Sequence, residues 1–319
     1  MQSQNRYASR SQTSDAILAR QEPVLHEVES SPASSGPASD SNSHPDTLTH
    51  TQRERYQEDG FLLMPDLFSR TEIDTLFKEM QNMRESFANT GREEVVAELN
   101  SGEVRSIFAV HRINRLFANL VRDPRVLNVA REILGSDVYI HQSRINYKPG
   151  FNGKEFFWHS DFETWHNEDG MPAMRAVSCS ILLTDNDSNN GPLMLIPGSH
   201  HHYVVCPCET PDENYKTSLR KQETGVPDPM LLRYLADMGG IKTCTGKAGS
   251  VVFFDCNTMH ASNSNVTPYP RSNVFFVYNS IENQLQTPPN DLTPRPEFVA
   301  TREHVEVLEA QPLRIDSTH

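Results

Sequence analysis

From Thr49 onward the chain alternates between two hydrophobic periods. Ser69 followed by Ile73, Leu76, Phe77 and Met80 sets apolar side chains at i, i+3, i+4 and i+7 behind a capping hydroxyl, which predicts an amphipathic helix. A short polar helix is expected over 49–59, followed by an extended entry at 60–64. Asp123-Pro124 opens a further helix over 124–134, which Gly135 stops. Beyond Gly135 the period falls to two. Residues 138–148, 176–184, 193–196, 249–255 and 273–281 are short β-branched and aromatic runs separated by Gly, Pro, Asn and Asp. One helical insertion is expected near 229–238. Strands in succession without alternating helices predict a mainly β fold with flanking helices, a sandwich or jelly roll rather than a doubly wound parallel sheet.

Residues 1–48 follow neither period. The first 45 hold eleven serines and a single aromatic, Tyr7, a composition that buries too little apolar surface to offset the entropy of ordering. The expectation is a disordered Ser/Pro-rich tail over 1–48 and one folded domain over 49–319. With 29 basic against 42 acidic side chains, the net charge of -13 disfavours nucleic acid or an anionic membrane as the main partner. No apolar run reaches membrane-spanning length and no leader-like apolar stretch follows the start, so a cytoplasmic location is expected. An organelle-targeting reading of Arg6, Arg10 and Arg20 is opposed by the early Asp15 and Glu22. The five cysteines, Cys179, Cys206, Cys208, Cys244 and Cys256, form no C-x-x-C pair and read as reduced thiols. Zinc on Cys206 and Cys208 with His200, His201 and His202 is disfavoured, since three adjacent histidines cannot all face one ion from a regular strand.

The segment FFWHSDFETWHNEDGMP, residues 156–172, changes the picture from fold to chemistry. In extended structure His159 and Asp161 project from one face, placing an imidazole and a carboxylate within reach of one metal ion. His260, directly after the apolar run 249–255, is the best placed third ligand. Two histidines and one carboxylate form the facial triad of non-haem Fe(II) oxygenases, with three positions left open. Eleven residues beyond His260, Arg271 opens the next strand and offers a planar fork for the distal carboxylate of a 2-oxoglutarate co-substrate. In the strand before the motif, Gln142, Arg144, Asn146 and Lys148 share one face. That face suits either solvent or the polar wall of a barrel holding anionic ligands.

Four stretches together resemble a known family: residues 156–172, HQSRINYKPGF at 141–151, GPLMLIPGSH at 191–200 and FFDCNTMHASNSNVTPYPRSNVFFVYNSIEN at 253–283. They are similar to the ectoine-hydroxylating branch of the phytanoyl-CoA dioxygenase-like Fe(II)/2-oxoglutarate enzymes, from about Thr49 to the C-terminus. The resemblance implies a double-stranded β-helix, a cupin-like jelly roll, assembled as a homodimer. It implies iron on His159, Asp161 and His260, and 2-oxoglutarate held by Arg271 with Lys148, Asn146 and Ser262. Ectoine would lie against Trp165 and Phe254, with Phe275 nearby and Gln142 and Thr164 as polar contacts. Fe(II), 2-oxoglutarate and O₂ would then convert ectoine to 5-hydroxyectoine with release of succinate and CO₂, a step in making a compatible solute under osmotic stress. Other readings stay open: the same chemistry on another small cyclic or amino-acid substrate, a non-catalytic cupin-like osmolyte binder, and a zinc hydrolase using Cys256 or the histidine cluster.

Overall fold

The computed structural model describes residues 7–10, 16–26, 46–97, 102–219, 221–289 and 292–315. Its longer helices begin where capping chemistry dictates. α1 (His50–Asp59) and α2 (Arg70–Phe87) each start in a capping box, Thr49 with Gln52 and Ser69 with Glu72, so two otherwise unpaired backbone N–H groups are satisfied at each end. After the short α3 (Val110–Ile113) and α4 (Arg115–Leu120), Asp123 caps α5 (Pro124–Leu134) with proline at its first turn, and Gly135 ends it at φ 57°. α6 (Asp161–Thr164) continues into a π-helical turn, Trp165–Asp169. α7 (Tyr215–Ser218) and α8 (Pro229–Gly239) follow, the latter being the expected insertion.

The described strands are β1 (Ala16–Ala19), β2 (Phe61–Met64), β3 (Val95–Ala97), β4 (Val104–Phe108), β5 (Val138–Lys148), β6 (Phe156–His159), β7 (Ala176–Leu182), β8 (Leu193–Leu195), β9 (His202–Val205), β10 (Lys242–Cys244), β11 (Val251–Asp255), β12 (His260–Ser262) and β13 (Arg271–Ser280). They pair antiparallel in a seven-stranded sheet of order β2-β11-β7-β13-β5-β4-β3, a four-stranded sheet of order β10-β8-β12-β6, and the ribbon β1-β9. This is the expected mainly β architecture with flanking helices; the large sheet does not close into a barrel.

Continuous apolar runs in the large sheet serve two cores at once. On β11, Val251 and Phe253 face a core shared with Ile73, Leu76 and Met80 of α2 and Leu127 and Ile133 of α5. Val252 and Phe254 face a second core with Phe162, Trp165 and Leu195. On β13, Val274, Phe276 and Tyr278 go to the helices, Phe275 and Val277 to the second core. Period-two alternation therefore splits each strand between helix packing on one face and the site on the other. β5 shifts phase once: Tyr278 pairs with Ile140 while Val277 pairs with Gln142, leaving His141 as an extra residue. This bulge lets Ile140 face the helices and still turns Gln142, Arg144, Asn146 and Lys148 inward.

Two expectations need correction. Residues 7–10 and 16–26, assigned to a disordered tail, are packed on the domain: β1 pairs along β9, and Tyr7 and Arg10 are buried. Composition missed this because a few anchoring side chains, rather than an apolar stripe, dock the segment. The remainder of 1–45 lies outside the described residues. Asp161 is also not in extended structure. The strand ends at His159 and Asp161 opens α6, so the two ligands converge through a strand-to-helix turn, not through the pleat.

Candidate active site

His159 and His260 are paired across the ladder between β6 and β12, and their ring centroids are 4.2 Å apart. In each ring Nδ1 lies against a backbone carbonyl, Phe157 O at 2.7 Å and Thr258 O at 2.9 Å. A carbonyl only accepts, so Nδ1 donates in both and Nε2 is left as the metal-binding atom. The Asp161 carboxylate stands 3.7 Å from His159 Nε2 and 3.9 Å from His260 Nε2. One ligand atom from each residue falls within 4.8 Å of the others, which fits a single ion. Burial acts to raise the Asp161 carboxyl pKa, but His260, His159 and Arg144 outweigh it and hold the group ionised. Burial lowers the His260 pKa to about 4, with His159 adding to it, which keeps the imidazole neutral as a ligand must be. Phe162 N–H donates to Cys256 O at 2.8 Å and Ser160 Oγ to Asn257 Oδ1 at 2.9 Å, so the turn that follows β11 pins the start of α6.

Two cavities meet at His159. The first is walled by strands: Asn146 and Lys148 of β5, Ser262 of β12, and Arg271, Asn273 and Phe275 of β13. Lys148 Nζ donates to Ser262 Oγ at 2.9 Å, and Asn146 Oδ1 accepts from Ser106 Oγ at 3.0 Å. Arg271 donates to Gly191 O at 2.9 Å through one terminal nitrogen, while its Nε is shielded from solvent and has no hydrogen-bond partner. Burial alone lowers its pKa to about 10. A desolvated guanidinium with no carboxylate beside it among the described residues is poised for an anion from outside them.

The second cavity is walled by Gln142 and Arg144 of β5, Asp161 and Thr164 of α6, Trp165, and Arg295. Thr164 Oγ1 and Arg144 Nε are buried and have no hydrogen-bond partner among the described residues. Gln142 Nε2 donates to Val299 O at 2.8 Å, which orients its amide. The Arg144 guanidinium lies 4.9 Å from the Phe275 ring centroid, and burial lowers its pKa. Phe275 thus borders the first cavity, whereas Phe254 is fully buried behind His260 at 5.0 Å between ring centroids and lines neither. All twelve residues expected from the sequence gather around the triad, Phe254 as its backing.

Sequence reading missed the layer beneath Trp165. His141 meets the indole edge-on at 5.0 Å and stands 3.4 Å from Asp169, whose carboxylate accepts from Arg295 Nε at 2.8 Å. His141 and Asp169 lay inside quoted motifs without a role. Arg295 arrives from a Pro-flanked C-terminal loop that carries no pattern to single it out.

A jelly-roll sheet pair bearing a His, Asp, His triad beside an unpaired arginine defines a non-haem iron, 2-oxoglutarate-dependent oxygenase. The chain belongs to the phytanoyl-CoA dioxygenase (PhyH) family, whose model matches residues 56–273. It is 57% identical over 300 residues to the ectoine dioxygenase of Bordetella bronchiseptica, covering 94% of this chain and 93% of that one. It is 46% identical over 299 residues to the ectoine dioxygenase of Sphingopyxis alaskensis, covering 94% of each. Crystal structures of EctD from S. alaskensis, one with bound Fe and one with 2-oxoglutarate and 5-hydroxyectoine, superpose with TM-scores of 0.83 and 0.82 at 42% identity, covering 98% of this chain and 100% of theirs.

Proposed function

We infer that the chain hydroxylates ectoine to 5-hydroxyectoine at the expense of 2-oxoglutarate and O₂, releasing succinate and CO₂. The observation that carries this is the triad beside the half-buried Arg271, which has no charged partner among the described residues, in a chain 46–57% identical to ectoine dioxygenases. His159, Asp161 and His260 hold Fe(II). Bound there, the iron would supply, at the expense of 2-oxoglutarate and O₂, the oxidising power to replace a substrate C–H by C–OH. The protein's own residues do the rest. Arg271 forks onto the distal carboxylate of 2-oxoglutarate, assisted by Lys148, Asn146 and Ser262, and so fixes which end faces the metal. Ectoine is a zwitterion with a delocalised ring cation. Trp165 offers that cation a π face, a contact of roughly 0.5–2 kcal/mol, while Gln142 and Thr164 hydrogen-bond the ring and Arg144 takes the carboxylate. Phe254 and Phe275 complete an apolar backing that excludes water beside the metal.

The same reading carries a homodimer and a cytoplasmic location. The first rests on the family resemblance and is tested by sedimentation of the purified chain; the second rests on the sequence pattern described above. Among the described residues no helix is long and apolar enough to cross a membrane.

Anaerobic reconstitution with Fe(II), then aerobic incubation with 2-oxoglutarate and ectoine, tests the activity by product mass. The expected result is ectoine plus one oxygen atom, with succinate formed in equal amount. Succinate release that responds to proline but not to ectoine overturns the substrate.

A further inference from the structure

α6 and the π-helical turn after it are held from two sides. The turn after β11 pins the first end through Ser160 and Phe162. The other end is held by the N-terminal segment. Arg10 Nε donates to Glu163 Oε1 at 2.7 Å and its Nη2 to Glu163 Oε2 at 2.6 Å, while Nη1 donates to Glu168 Oε1 at 2.7 Å. The Arg10 backbone N–H donates to Asn167 Oδ1 at 2.9 Å. The i, i+5 spacing of a π turn is what brings Glu163 and Glu168 to one face, so that a single guanidinium spans both. All three side chains are at most 5% exposed. Gly225, at φ +71°, closes the pair from outside: a Cβ there would stand 2.1 Å from Glu163 Oε2.

The opposite face of this helical unit carries Asp161, Thr164 and Trp165 into the second cavity. Tyr7 adds a ring edge against Phe162 at 5.2 Å and another near His166 at 6.1 Å. Arg20, farther along the segment, donates to Asp255 Oδ2 at 2.8 Å at the end of β11, so the segment is anchored at both sheet and helix.

We propose that the N-terminal segment is a strap that positions Trp165 for substrate through the fork of Arg10 on Glu163 and Glu168. Arg10 is a positioning residue: it touches neither the metal site nor either cavity. Without it two buried carboxylates lose their guanidinium and keep only amide contacts, Asn167 Nδ2 to Glu163 Oε1 at 3.2 Å and Asn214 Nδ2 to Glu168 Oε1 at 2.8 Å, and the unit relaxes at its far end. The triad end, pinned by the turn after β11, stays in place. Ectoine recognition and 2-oxoglutarate recognition therefore separate. The consequence for ectoine rests on the reading of Trp165 given above, but the consequence for Trp165 itself does not.

Arg10→Met and Arg10→Lys in a Trp158→Phe background test this, because Trp165 is then the sole indole of a chain that has two. In Arg10→Met its emission should shift to the red, and KM for ectoine should rise about tenfold or more while KM for 2-oxoglutarate and Fe(II) affinity change less than about twofold. Arg10→Lys keeps the charge, and hence folding, but not the fork, and should fall between. A red shift with unchanged KM for ectoine upholds the strap and sinks the assignment of Trp165 to ectoine. Unshifted emission in both variants overturns the proposal. So does equal loss of affinity for both ligands, or insolubility of both variants, since either assigns Arg10 to fold stability alone.

Discussion

The wall that carries Asn146, Lys148, Ser262 and Arg271 is made of strands, whereas the wall that carries Thr164 and Trp165 is a short helix with a π turn. On the strand wall each side chain is aimed by the ladder, and Arg271 pairs directly across from Lys148. On the helical wall the aim depends on Glu163 and Glu168 at its back and on what holds them. The candidate metal site lies at the seam, with one histidine from each of β6 and β12 and the carboxylate from the first turn of α6. A rigid wall suits a co-substrate common to many reactions. A separately held wall can be adjusted for one substrate without disturbing the metal.

Removing the seam should erase the contrast. Asp161→Ala is expected to abolish Fe(II) binding and reduce turnover to background, whichever ligand is supplied. An iron-replete, active variant would remove Asp161 from the ligand set. Arg271→Ala strikes the strand wall alone. It should weaken 2-oxoglutarate by about 2–5 kcal/mol, the cost of losing one partner of a desolvated charge pair, with Fe(II) affinity retained. Isothermal titration of the Fe(II) protein under anaerobic conditions measures it, and an unchanged affinity sinks the fork assignment.

The two walls also differ in how far they could be foreseen. Period-two alternation exposed the strand wall: the even positions from Gln142 to Lys148 point inward as written, and the apolar runs around Phe254 and Phe275 divide between two cores. The helical wall was legible as a motif but not as a shape. His159 and Asp161 do bring their ligand atoms close enough for one ion, yet by a strand-to-helix turn that spacing alone does not announce. Its supports were illegible. Arg10, Tyr7 and Arg295 come from segments whose composition reads as loop or tail, because single buried ion pairs and ring edges leave no periodic trace. What marks Arg10 is the company of Glu163 and Glu168, more than 150 residues away.

Trp165→Ala sharpens the comparison from the helical side. Ectoine affinity should fall about 2- to 30-fold from the lost cation–π contact, with 2-oxoglutarate binding intact. Equal loss of both would mean that the cavity has collapsed, since the indole is also packed against His141 and buried to 3% exposure. Titrations of each ligand against the same protein preparation separate the two outcomes.

The smallest effect concerns where the N-terminal segment meets α5. His26 N–H donates to Ile133 O at 3.2 Å, and the ring is partly buried at the end of that helix. Burial, then Arg175 and Arg20, lowers its pKa from 6.5 to about 4. The unfolded chain therefore takes up this proton near pH 6.5 and the docked segment only near pH 4. The stabilising contribution of the neutral ring is complete above pH 6.5 and is lost as pH falls toward 4. The melting temperature should decline over that window, and less steeply in His26→Gln. His200 has the same lowered pKa, caused first by burial, but its ring sits at the end of α1, beside Gly60 and against Gln57 O at 3.2 Å, so His200→Gln should flatten the same slope without loosening the segment. Hydrogen exchange at Arg20 and His26 distinguishes the two: at pH 5 it should quicken relative to exchange in β13, and His26→Gln should cancel that change while His200→Gln leaves it. Equal quickening in β13 would mean that the segment and the sheet open together, and that the helical wall has no separate hold.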